Sequence, residues 1–239
     1  MSDLRAIRTV SIAVARSARL AMLGPEGPGV RELWYVLHGY GQLAAPFLGD
    51  FRAIDDGSRL IVAPEALSRF YEGDAQTRLH RDAKVGASWM TREDRESEIA
   101  DYIAYLDTVH QLILTRLGGA NHAPEVTVLG FSQGATTAAR WVASGRVNAA
   151  RLVVWGSQLP PELDLADPGA PLRRAETVLV MGTTDVFATP KLVEKETARL
   201  RAANYPFRFV SFNGGHRMDD DTLRALAGMS TDYDATGAV

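Results

Sequence analysis

Residues 125–143, EVTVLGFSQGATTAARWVA, restrict the fold more than any other stretch of the chain. A strand-like apolar run passes through Gly130, Ser132 and Gly134 straight into a pattern of small, helix-forming residues. So sharp a change of direction leaves no room for bulky side chains two positions before and two positions after the serine. A strand that feeds directly into a helix is half of a β-α-β unit, the building block of parallel sheets. The stretch raises a question of its own: whether this is a turn that happens to contain a serine, or one built to expose it as a nucleophile.

The rest of the chain repeats the alternation. Strand-length apolar runs are expected near 9–14, 18–23, 32–38, 59–63, 125–131, 151–156, 176–182 and 207–212, and helices near 43–55, 92–117, 133–144, 190–203 and 219–228. The first two runs stand too close for a crossover helix and predict an antiparallel hairpin at one edge. The later runs are almost continuously apolar, as strands covered by helices on both faces must be. In the longest helix Ile99, Ile103, Leu106, Ile113 and Leu117 form one stripe, and Thr91 with Asp94 resembles a capping-box start. His110 shares that stripe and reads as a core or boundary histidine with a satisfied ring nitrogen.

Residues 64–91 have no clear period and link a strand to the long helix. A connection of that length at the C-terminal end of a strand is expected to be a functional loop excursion near the active site. Between Ser157 and Arg174 the chain is too short for a helical cap. The 239 residues are therefore expected to form one α/β domain over 1–239, with a mostly parallel central sheet, an antiparallel N-terminal edge and no large cap domain.

Composition excludes several classes of function. Apolar residues make up 46% and charged residues 23%, so the chain can fold around a core and does not read as disordered. Net charge is −3 with Lys and Arg dispersed, which excludes the basic stripe that nucleic acid would require. Asp3, Arg5 and Arg8 interrupt the N-terminal run, no secretory leader is visible, and no window approaches the roughly 18 apolar residues of a membrane span. A cytoplasmic protein with a small-molecule partner and no stable membrane insertion is expected. No cysteine is present, so disulfides, thiolate metal sites and a cysteine nucleophile are all excluded.

A serine hydroxyl needs a histidine base and an acid that orients it. Of five histidines, His38, His80, His110 and His122 precede Ser132; His216, in FNGGHRM, alone follows it and sits on a close-turning loop after the last strand. Asp185 ends ETVLVMGTTD at a strand tip between the two and is the expected acid, with Asp164 and Asp167 as competitors in LPPELDLADPG. For the oxyanion, the backbone N–H of Gln133 and that of Tyr40, in HGYG at 38–41, are the expected donors. Trp89, Phe187, Leu159 and Phe47 lie near catalytic-edge loops and are candidates for the substrate pocket.

The set LHGYG, GFSQG, GTTD and GGH resembles the phospholipase/carboxylesterase family of the α/β-hydrolase superfamily over about residues 32–228, and Gln after the serine is usual there. The resemblance implies an α/β-hydrolase fold, no metal and no organic cofactor, and a serine carboxylesterase cleaving carboxylic esters through an acyl-enzyme. An acyl-protein thioesterase, or a lysophospholipase-type acyl hydrolase with the same triad, remains the alternative, and a non-catalytic binding protein of the same fold is the rival of another class. The chain departs from the family in HGYGQLAAPF, which lacks the usual acidic residue, and around Asp185, where it reads GTTDVF. Acyl length and oligomeric state stay open, a homodimer being one option.

Overall fold

The computed structural model describes residues 7–74, 76–119 and 123–228. Strands are β1 (Leu20–Leu23), β2 (Glu32–Leu37), β3 (Arg59–Pro64), β4 (Ser68–Tyr71), β5 (Val85–Ser88), β6 (Glu125–Phe131), β7 (Arg151–Trp155), β8 (Glu176–Gly182) and β9 (Arg208–Phe212). Helices are α1 (Ala44–Leu48), α2 (Arg95–Leu117), α3 (Gln133–Ala143), α4 (Pro190–Ala202) and α5 (Asp220–Ala227). Seven strands form one sheet in the order β1-β3-β2-β6-β7-β8-β9, parallel throughout except for β1, which pairs antiparallel with β3.

Side-chain alternation along the central strands divides the core in two. Leu33, Tyr35 and Leu37 of β2 point to the face covered by α2, α3 and α4, where they meet Leu106, Ile113, Trp141 and Leu200. Trp34 and Val36 point to the opposite face and pack with Phe47, Phe51, Leu223 and Leu226 from α1, the following 3-10 turn and α5. With both faces covered, the strands carry apolar side chains in either direction, hence the continuous apolar runs.

The sequence differs from the structure at three places. Residues 9–14 form no strand and lie exposed, Ile12 at 79% and Val14 at 74%. Their alternation is strand-like, but the intervening ARSA at 15–18 holds no Gly, Asn or Pro to close a tight hairpin, and β1 pairs with β3 instead. Residues 64–91 contain a two-stranded antiparallel hairpin, β4 with β5, in register Ser68↔Ser88 to Tyr71↔Val85. Strands of four residues are too short to show a period. Helix α2 begins at Arg95 after Asp94, whose side chain makes no cap, while Thr91 binds the Glu98 carboxylate through its hydroxyl at 3.0 Å. As expected, His110 is buried and bonds the Tyr35 hydroxyl at 2.9 Å through Nδ1.

Candidate active site

At the end of β6 the backbone turns through Ser132 with φ 53° and ψ −117°, a conformation costly for any residue with a Cβ. The turn is held by Ser132 N–H donating to Trp155 C=O at 2.8 Å and Ala135 N–H donating to Ser132 C=O at 3.0 Å. The flanking glycines are needed for space. A Cβ on Gly134 would overlap the carbonyls of Leu37 and His38 at the end of β2, and one on Gly130 would overlap the backbone of Gly134 and Ala135. The turn is therefore wedged against the next strand, with the serine at its apex.

Asp185 and His216 come together on the same edge. His216 Nδ1 lies 2.7 Å from Asp185 Oδ2, while Asp185 Oδ1 accepts the N–H groups of Phe187 at 2.8 Å and Ala188 at 3.0 Å. Burial works to raise the Asp185 pKa, but the Ala188 amide, the His216 ring and the Phe187 amide outweigh it and hold the carboxyl below its usual range. A carboxylate can only accept here, so Nδ1 carries a proton and Nε2 is left as the basic nitrogen. The imidazole contacts two phenyl rings, Phe131 at 4.7 Å and Phe187 at 4.8 Å between centroids, and Phe131 directly precedes Ser132. Gly156 leaves room for the ring: a Cβ there would stand 3.0 Å from His216 Cε1. Trp155 Nε1 donates to Arg217 C=O at 3.0 Å and ties down the histidine loop. Among the described residues the Ser132 hydroxyl makes no hydrogen bond.

The HGYG loop lies against the turn, since a Cβ on Gly39 would stand 3.3 Å from Ser132 Cβ. Its neighbours are committed: Gly39 N–H donates to Gln42 Oε1 at 2.7 Å and Gly41 N–H to Ala87 C=O at 2.9 Å. The amides of Tyr40 and Gln133 have no hydrogen-bond partner among the described residues. The hairpin supports the loop. Ala87 N–H donates to Gln42 C=O at 3.2 Å, and the Tyr40 ring stacks on Phe70 at 5.0 Å. The Gln133 side chain clasps the strand end, its Oε1 accepting Trp89 N–H at 3.0 Å and its Nε2 donating to Met90 C=O at 2.9 Å.

Of the pocket candidates, only Phe187 is open, at 70% exposed. Leu159 is a core residue, Phe47 is buried but lines a cavity of about 440 Å³ with Gly41, Gln42 and Val85, and Trp89 is buried with Nε1 donating to His38 C=O at 2.8 Å, so it braces the HGYG loop. Exposed Val186, next to Asp185, joins Tyr40 and Phe187 as apolar surface near the site, and sequence reasoning missed it. The competing acids Asp164 and Asp167 are exposed, and Asp164 caps its own turn through Ala166 N–H at 2.9 Å. His80 is exposed; His122, Asp3 and Arg5 lie outside the described residues. Sequence reasoning also missed Phe131, Gly156 and Trp155, whose roles have no local signature. A cavity of about 600 Å³ between residues 12–20 and α2 is lined by none of Ser132, Asp185 and His216. Among the described residues no cluster of His, Asp and Glu could hold a metal ion, and no helix is long and apolar enough to cross a membrane.

Comparison with known proteins places this geometry in context. The family described as serine hydrolase (FSH1) matches residues 35–218. No curated protein matches the chain in sequence. Among solved structures, Zea mays acyl-protein thioesterase 2 is similar with a TM-score of 0.62 at 19% identity, over 88% of this chain and 96% of that one. The Bacillus cereus carboxylesterase is similar at 0.62 and 13% identity, over 88% and 92%. A phospholipase/carboxylesterase from Dyadobacter fermentans is similar at 0.61 and 16% identity, over 90% and 97%. Likeness at these identities shows the fold, which is that of the α/β-hydrolases.

Proposed function

Because the chain belongs to the FSH1 serine hydrolase family, we propose that it is a carboxylesterase in which Ser132 is the nucleophile, His216 the base and Asp185 the residue that orients the base. The observation that carries this reading is the doubly anchored Asp185 carboxylate holding the His216 ring beside the strained Ser132 turn. Ser132 Oγ attacks the ester carbonyl as Nε2 of His216 takes its proton. The N–H groups of Tyr40 and Gln133 hold the oxyanion. The alcohol leaves with the proton from Nε2, giving an acyl-serine; water then attacks that acyl group, His216 again moves the proton, and the acid departs. The same reading places the enzyme, as one domain over residues 1–239, in the cytoplasm with a small-molecule ester.

A thioester or lysophospholipid substrate would use the same groups, and the likeness to a maize acyl-protein thioesterase keeps that alternative open. Labelling with a fluorophosphonate followed by mass spectrometry is expected to modify Ser132 in the parent and not in His216→Ala; folded protein that takes no label would rule out the nucleophile. Matched p-nitrophenyl esters and acyl thioesters then separate the two substrate classes, and a far faster thioester reaction overturns the ester assignment.

A further inference from the structure

His38 is fully buried and takes no part in the proton transfers above, yet both its ring nitrogens are engaged. Ala66 N–H donates to Nε2 at 3.1 Å, and Nδ1 lies 2.8 Å from the Gly39 carbonyl oxygen. A backbone N–H can only donate, so Nε2 must be the unprotonated acceptor and the single ring proton sits on Nδ1, pointing at the Gly39 carbonyl. That carbonyl belongs to the same peptide unit as Tyr40 N–H. In a trans peptide the C=O and N–H point in opposite directions, so fixing one aims the other.

We propose that His38 is a positioning residue for the oxyanion site: its Nδ1–H bond to Gly39 C=O locks the Gly39–Tyr40 peptide with the Tyr40 N–H turned toward the reacting carbonyl. The inference rests on the assignment of Tyr40 N–H as an oxyanion donor. The surroundings preserve this tautomer. Trp89 lies over the ring at 5.2 Å between centroids and its indole holds the His38 carbonyl, burial lowers the ring pKa, and the hydrogen bond to Gly39 and the charge of Glu65 only partly oppose that. A protonated ring would lose the bond from Ala66.

Two near-isosteres divide the ring's contacts. His38→Asn can place an N–H donor where Nδ1 stands, whereas His38→Gln reaches the position of Nε2 and abandons Gly39. In the folded fraction, counted by fluorophosphonate titration, His38→Gln is expected to lower kcat at least tenfold with little change in KM, against the hundredfold or more that follows complete loss of an oxyanion donor. It should weaken a trifluoromethyl ketone inhibitor, which forms a tetrahedral adduct, by the same factor, while His38→Asn stays within about threefold of the parent on both. Equal losses in the two variants, or an unchanged inhibitor constant in His38→Gln, overturn the proposal. An amide-to-ester replacement at Tyr40 tests the premise separately. If that ester costs no activity, Tyr40 is not a donor and the premise fails; if it does cost activity and His38→Gln does not, the positioning role alone fails. Should the variants not fold, nitrogen-15 histidine NMR of the parent decides: neutral Nδ1–H is expected for His38, and an Nε2–H or charged ring refutes the inference.

Discussion

Asp185 has both carboxylate oxygens occupied, one by two backbone amides and the other by His216. Asp185→Asn would keep the amide contacts on its oxygen but turn an NH2 donor toward Nδ1, forcing the ring proton onto Nε2 and removing the base. By analogy with the corresponding change in other triads, kcat is expected to fall about 10³- to 10⁴-fold with the fold intact; a variant retaining more than a tenth of parental p-nitrophenyl ester turnover would show that Asp185 does not orient the base. At this scale the sequence was informative, because Asp185 and His216, which the structure brings to 2.7 Å, each stand just beyond a recognisable strand. It offered Phe187 only as a pocket candidate and was silent on Phe131 against the imidazole, since that position carries no pattern that sets it apart from any other apolar residue.

The Ser132 turn works as an element only because α3 starts in contact with the end of β2. Gly134→Ala would drive a methyl group into the carbonyls of Leu37 and His38 and should cost about 1–3 kcal/mol of stability together with most of the activity. Gly49→Ala is the control, because its added Cβ meets nothing within 4 Å and its φ of −58° suits alanine, so it is expected within about 0.5 kcal/mol of the parent. Urea unfolding of the pair checks both, and a neutral Gly134→Ala would contradict the packing argument. The Gln133 side chain is a second elemental device, clasping the β5 end to the turn. Gln133→Ala retains the backbone donor but should speed amide exchange at Trp89 and expose residues 72–84 to proteolysis; unchanged exchange at Trp89 would leave the clasp without effect. The motif's glutamine was legible in sequence as a family mark. Its physical use depends on a hairpin whose strands are too short to announce themselves.

Across the molecule, two buried histidines couple folding to pH. Burial lowers the pKa of His38 and of His110 beneath 6.5, so the unfolded chain takes up these protons before the folded one does. Stability contributed by neutral burial is present above about pH 6.5 and is lost as pH falls through the lowered folded values. Asp185, whose folded pKa is also lowered, sheds its own contribution only below its unfolded value near 3.8. The urea midpoint should therefore decline between pH 7 and pH 5, with a shallower slope in His110→Gln; a flat midpoint over that interval would mean the histidines titrate alike in both states.

By itself the sequence determined the alternation of strands and helices from β2 to α5 outside residues 64–91, the parallel sheet and the places of Ser132, Asp185 and His216 just beyond strand ends, because apolar periodicity, glycine punctuation and strand-tip position are local properties. Only the tertiary structure decided that residues 9–14 form no strand, that Trp89, Leu159 and Phe47 are buried while Phe187 is open, and that the His38 ring bonds the peptide that carries the Tyr40 amide. Each of those outcomes turns on which distant element arrives at a given surface, and a side chain's own neighbours in sequence exert no force that selects it.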